Sequence, residues 1–197
     1  MMHYVIMADG KGTRWGNFTD RPKHLIEING ETLLARLVRQ LKVFDNACEI
    51  TITAQDSRYE VEGARRYVPR NNRDEIDRFT AELVADNVCF FYGDTCYTDE
   101  AVANVVEAKG SDLLFFGDKR CIVAVKVFDG ACMKKHIEHV KHHHPDGKGW
   151  HVYQSYSGLE LYELGDGFVV MADGTQDFNT PEDYLAFLKK MRSSYQC

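Results

Sequence analysis

Short, continuous apolar runs alternate with amphipathic helical patterns along nearly the whole chain, and this alternation restricts the fold more than any other feature. Residues 4–8 (YVIMA), 49–54 (EITITA), 88–92 (VCFFY), 113–116 and 122–128 read as strands buried on both faces. From Thr32, the apolar residues Leu33, Leu34, Leu37, Val38, Leu41 and Phe44 mark one stripe of a helix. Residues 74–85 read as a helix with Ile76, Phe79, Leu83 and Val84 inward, and residues 130–143 as another. Residues 24–28 form a short extended piece closed by Asn29-Gly30, residues 144–149 a loop, and residues 159–164 and 168–171 a hairpin. Thr98, ahead of Asp99 and Glu100, and Thr180, ahead of Pro181, have the chemistry of helix starts. The expected fold is α/β: a single-domain, three-layer sandwich around a mostly parallel sheet, spanning residues 1–197.

Composition narrows the class further. The 197 residues match one domain at about 150 residues per domain. The formal charge of −6 argues against nucleic acid or an anionic membrane as the main partner. No apolar run reaches the ~18 residues of a membrane span, and MMHYVIMADG lacks the pattern of a secretion signal. The six cysteines (48, 89, 96, 121, 132 and 197) show no paired short spacing, and several sit inside apolar runs, as expected in a reducing cytoplasm.

Parallel sheets bind ligands at the carboxyl ends of their strands, so the loops after Ala8, Ala54 and Tyr92 and the segment near Asn179 are where chemistry is expected. The first of these loops, Asp9-Gly10-Lys11-Gly12-Thr13-Arg14-Trp15-Gly16, is not a Walker A loop, because Gly12 follows Lys11. It is not a dinucleotide fingerprint either, because Trp15 stands where the third glycine belongs. Two glycines that let backbone N–H groups approach an anion remain, with Lys11, Arg14, Arg21 and Lys23 close by. A solvated glycine turn with incidental cations is the plainer alternative.

ADGKGTRWG, followed by Arg21-Pro22-Lys23-His24-Leu25 and then EINGETLL, resembles the nucleotidyltransferase superfamily of sugar-1-phosphate, phosphocholine and molybdopterin nucleotidyl transferases. The resemblance implies a Rossmann-like, glycosyltransferase A-like fold. It also implies transfer of a nucleotidyl group from an NTP to a small phosphorylated or phosphonate acceptor, with release of pyrophosphate. Asp9 departs from the Gly or Ala usual at its position in the family. The resemblance makes Arg14 and Lys23 the catalytic cations and assigns Ala8, Asp9, Gly10, Gly12 and Thr13 to the nucleotide. Asp94, after the strand ending in Tyr92-Gly93, and Asp177 or Asn179 of DFNTPEDY become ligands of a catalytic Mg²⁺. CTP is the favoured triphosphate by analogy, in the synthesis of cell-surface or capsule precursors, and a homodimer is left open. A nucleotide-sugar glycosyltransferase and a non-catalytic nucleotide-binding subunit are the competing functions; Gly93-Asp94-Thr95, without Asp-x-Asp, counts against the former.

Several further residues admit two readings. Gln55 and Asp56 end a strand and reach toward the nucleotide, whereas Asn71, Asn72, Asp74, Glu75 and Asp77 are explained by capping. Lys126, inside the strand IVAVKVF, needs an anion: a substrate phosphate, or solvent at a sheet edge. Asp118 repeats the strand-Gly-Asp pattern and competes with Asp94. Trp150, His151, Tyr153, Gln154 and Tyr156 suit an acceptor pocket or rim packing, and His136, His139 and His142–His144 a solvated helix end.

Overall fold

The computed structural model describes residues 1–16 and 18–194. Its main sheet contains β1 (His3–Met7), β2 (Glu49–Thr53), β3 (Arg65–Tyr67), β4 (Val88–Tyr92), β5 (Leu113–Gly117), β6 (Ile122–Val127) and β7 (Phe168–Val170). Their spatial order is β7-β5-β6-β4-β1-β2-β3, and only β6 runs antiparallel to its neighbours. This is the expected mostly parallel sheet. The helices are α1 (Leu33–Phe44), α2 (Asp99–Glu107), α3 (Gly130–His143), α4 (Gly149–Ser157) and α5 (Pro181–Ser194).

Strand alternation divides the core between two faces. Tyr4 and Ile6 of β1 pack with Leu34, Leu37 and Leu41 of α1 and Val102 and Val105 of α2. Val5 and Met7 face the other way, with Met133 and Ile137 of α3 and Trp150 and Tyr153 of α4. Each fully buried Leu or Phe in these layers contributes roughly 1.5–3 kcal/mol. The helix starts follow the expected chemistry: Thr32 Oγ1 accepts from Ala35 N at 3.2 Å, and Thr98 Oγ1 from Ala101 N at 3.0 Å. Thr180 and Asp183 cap α5 reciprocally, side chain to backbone in both directions.

Register fixes where the site lies. Met7 is level with Thr53 on one side and Tyr92 on the other, so the chain leaves β1, β2 and β4 at one edge of the sheet. Strand order reverses between β1 and β4, the place where open α/β sheets form a crevice. Gly93 passes β1 so closely that a Cβ there would lie 2.9 Å from Met7 O. Because β6 is antiparallel, the turn that precedes it opens onto the same edge.

Two local expectations are corrected. Residues 74–85 form two short 3₁₀ turns, Glu75–Phe79 and Ala81–Leu83, rather than one helix. Thr80 between them is left-handed (φ 40°), and Asp77 turns back to accept from the backbone N–H groups of Arg73 and Asp74. Ile76, Phe79 and Val84 are nonetheless buried. The hairpin at 159–171 is absent: β7 pairs parallel with β5, Phe168 opposite Phe115. The preceding segment folds in turns over Tyr153, whose hydroxyl accepts from Gly165 N at 2.9 Å. The aromatic cluster from Trp150 belongs to α4, a helix that the sequence reading does not contain.

Cys48, Cys89, Cys96, Cys121 and Cys132 are free thiols, and Cys197 lies outside the described residues. Among the described residues no helix is long and apolar enough to cross a membrane.

Candidate active site

The glycine loop is held from below. Gly12 adopts φ +59°, which an L-residue reaches only with strain, and its carbonyl accepts from Trp15 N at 2.9 Å. Trp15 is buried in a third apolar cluster with Ile26, Ile28, Leu33 and Phe178, and its indole N–H donates to Arg21 O at 3.0 Å. Anchoring Trp15 leaves Thr13 and Arg14 on the wall of the crevice.

Of the four cations in this region, only two face the crevice. Arg14 Nη2 donates to Asn179 Oδ1 at 2.9 Å, and Lys23, only 6% exposed, is ion-paired with Asp94. Lys11 donates instead to Arg73 O at 2.8 Å, and Arg21 pairs with Glu27 at 2.5 Å.

The two carboxylates meet through a small ribbon. Gln176–Asp177 pairs antiparallel with Thr95–Cys96, and Phe178 N donates to Asp94 O at 2.8 Å. This ribbon sets Asp177 beside Asp94, although three main-sheet strands and three helices separate them in sequence. Asn179 bridges the group: its amide N–H donates to Asp177 while its oxygen accepts from Arg14. Burial opposes ionisation of Asp94, but Lys23, His24 and Arg78 outweigh it and hold the carboxyl below its ordinary range. Asp177 shifts upward, through burial first and then the negative charge of Asp94. Beneath them His24 is pushed down to about 4 by burial, with Tyr59 Oη 3.4 Å from its Nδ1.

The other sequence-derived candidates fall into two groups. Asp9 and Gln55 brace one another beside the crevice: the Gln55 side-chain and backbone N–H groups each donate to the Asp9 carboxylate at 3.2 Å. Asn72 Nδ2 donates to the Asp9 backbone carbonyl at 2.6 Å, so backbone and carboxylate of Asp9 tie the loop to two different neighbours. Ala8, 3% exposed, is part of the core beneath the loop, and Gly10 lies against the guanidinium of Arg78. Lys126 is not in the crevice. It sits level with Cys89 at the start of β4, where its ammonium donates to the carbonyls of Val105, Val106 and Ala108 at 2.7–2.9 Å. The anion it needs is the C-terminus of α2.

Asp118 is likewise spent on its own turn, accepting from Arg120 and Cys121 N–H groups and the Arg120 guanidinium. Of the aromatic cluster, Trp150 lines the crevice, whereas Tyr153 is core and Gln154 borders a separate hollow near His139. Arg78, Arg120 and Lys148 line the crevice without having been singled out. No motif marks them, because each enters from a turn whose shape is set by tertiary contacts.

The sheet thus carries a cation-bearing glycine loop after its first strand and a carboxylate after its fourth, both at one edge. No protein-family model and no curated protein sequence matches the chain. Solved structures do. CTP:phosphocholine cytidylyltransferase (LicC) from Streptococcus pneumoniae superposes with TM-score 0.57 at 14% identity, over 97% of this chain and 100% of that one. The 4-diphosphocytidyl-2C-methyl-D-erythritol synthase from Anaerococcus prevotii gives 0.63 at 13% identity, covering 98% and 96%. The inositol-1-phosphate CTP transferase from T. maritima gives 0.60 at 12% identity, covering 98% and 96%. At these identities the likeness establishes the fold.

Proposed function

We propose that the chain is a Mg²⁺-dependent nucleotidyltransferase, with CTP its favoured triphosphate and a small phosphorylated or phosphonate molecule its acceptor. The observation that carries this reading is the convergence of Arg14 and Lys23 on the adjacent carboxylates Asp94 and Asp177 in a crevice of about 260 Å³. Two of the structures compared above are transferases that name CTP, and the third is named as a synthase of a diphosphocytidyl compound.

The residues suit magnesium. Asp94, Asp177 and the amide oxygen of Asn179 are hard oxygen donors, and Asp177 is shifted upward by burial and then by the negative charge of Asp94, both of which a cation there would offset. Among the described residues no group of three or more His, Cys, Asp or Glu forms a metal cage. An ion held by one or two carboxylates would complete its shell from phosphate and water. Asp94 and Asp177 are the assigned ligands, and Asn179 orients Asp177. When bound, the ion would neutralise phosphate charge.

The chain's own groups account for the remainder. An oxygen of the acceptor phosphate forms a bond to the α-phosphorus while the bond to the bridging oxygen of the β-phosphate breaks, and pyrophosphate leaves with the electron pair. The attacking oxygen is already anionic, so no general base is required. Backbone N–H groups of the glycine loop hold the triphosphate, and Arg14 and Lys23 donate to the oxygens on which charge develops.

The test is pyrophosphate release with each of the five common triphosphates, with and without Mg²⁺, beside thermal shifts in the same mixtures. Arg14→Gln and Asp94→Asn are expected to lower turnover by about 10²–10³. Pyrophosphate formation at wild-type rate in either variant would refute the assignment.

A further inference from the structure

The crevice extends beyond Asp94, away from the glycine loop. That loop leaves β1, while β4 and then β6 lie to one side of it, so the turn at residues 118–121 and the start of α4 form the opposite wall. In-line displacement places the attacking oxygen opposite the departing pyrophosphate, and this wall therefore faces the acceptor.

Its charged groups are Lys148 and Arg120. The Lys148 ammonium donates to Tyr162 Oη at 2.8 Å and stands 5.3 Å from that ring's centre, and among the described residues no carboxylate pairs with it. Arg120 is held by Asp118 at 2.7–2.8 Å through Nε and Nη2 and lies within the field of Asp177, yet its side chain is 80% exposed and further N–H groups remain unused. Glu75, the acid on this side, is 3.9 Å from Arg78.

Trp150, the aromatic of this wall, does not offer its face to a cation. Trp150 is 5% exposed, with Phe168 stacked on it at 5.4 Å and Tyr162 packed at a steep angle at 5.2 Å, so little of the indole face is open to an ammonium group. A positively charged acceptor would meet two cations and a covered ring.

We propose that the acceptor carries a second anionic group, a carboxylate or a further phosphate, at the end remote from its reacting phosphate, and that Lys148, with Arg120 in the same crevice, selects for that group. This rests on the nucleotidyl-transfer reading and names the substrate class within it.

The experiment compares three phosphate esters: 3-phosphoglycerate, glycerol 3-phosphate and phosphocholine. The first two differ only by a carboxylate in place of a hydroxymethyl group, and the third ends in a cation. Each is titrated calorimetrically into protein holding Mg²⁺ and a non-hydrolysable triphosphate, and pyrophosphate release with the hydrolysable triphosphate is followed in parallel. We expect 3-phosphoglycerate to bind at least about tenfold more tightly than glycerol 3-phosphate, the size of one charge-assisted contact, with phosphocholine weakest. In Lys148→Gln that ratio is expected to fall to near one, and in Arg120→Gln to fall part of the way. Retention of the triphosphate-induced thermal shift in each variant shows that it is folded. Equal, undetectable or reversed affinities for the three esters overturn the acceptor class and leave nucleotidyl transfer standing. Absence of any Mg²⁺-triphosphate-induced thermal shift in the wild type, with no pyrophosphate from any mixture, removes both.

Discussion

Replacing Lys23 by Met isolates the buried ion pair at the centre of the site. The Lys23 and Asp94 side chains are 7% and 10% exposed, so removing the ammonium leaves a carboxylate with little water to solvate it. Breaking a buried pair from one side costs about 3–5 kcal/mol, or roughly 6–20 °C in melting temperature for a chain of this length. The sign with pH follows from linkage. In the wild type Asp94 titrates below its unfolded value, so its contribution is complete above pH 4 and is lost as pH falls through the lower folded value. In the variant the carboxyl is raised instead, and the deficit should be larger at pH 8 than at pH 5, where the group takes up a proton. Lys23→Met/Asp94→Leu, with neither charge, should return to within about 1 kcal/mol of wild type. Urea unfolding followed by circular dichroism at both pH values reads all three proteins, and Mg²⁺ should restore part of the single variant's stability by pairing with Asp94. A Lys23→Met protein within 1 kcal/mol of wild type at pH 8, or a double variant no more stable than the single, would show that the pair is not buried and coupled as described.

Lys126→Met should lose about 2–4 kcal/mol, because three helix-end carbonyls are left without a donor, while calorimetric affinity for Mg²⁺-triphosphate stays unchanged. His24, neutral when folded and titrating at about 4, makes the wild type lose about 3 kcal/mol as pH falls from 6.5 to 4. Urea midpoints across that range should show a shallower slope in His24→Gln. Gly93→Ala forces a methyl toward Met7 O and should cost about 1–3 kcal/mol, seen as a lower melting temperature.

Much of the frame is legible in the residues because strand burial and helix capping are local or periodic. Residues 49–54 and 88–92 alternate between two buried faces whatever surrounds them, and Thr32, Thr98 and Thr180 cap helices through contacts three residues away. The loop cations illustrate the limit. Arg14 and Arg21 look equivalent in sequence, yet Trp15 points one into the crevice, and Glu27 holds the other outside. Lys126 was recognisable as a lysine needing an anion, but which anion depended on the packing of α2 across β6. Arg78 was hidden because a residue with φ 40° at Thr80 splits what reads as one helix.

The ribbon between Thr95–Cys96 and Gln176–Asp177 also orders events during synthesis. A ribosome has made the glycine loop and Asp94 long before Asp177 emerges, after β5, β6, α3, α4 and β7. Until then only one of the two carboxylates exists, and the apolar bed of Trp15, Ile26 and Leu33 lacks its cover of Phe178 and Phe187. The second carboxylate and the cover of that bed therefore both wait on the same late segment.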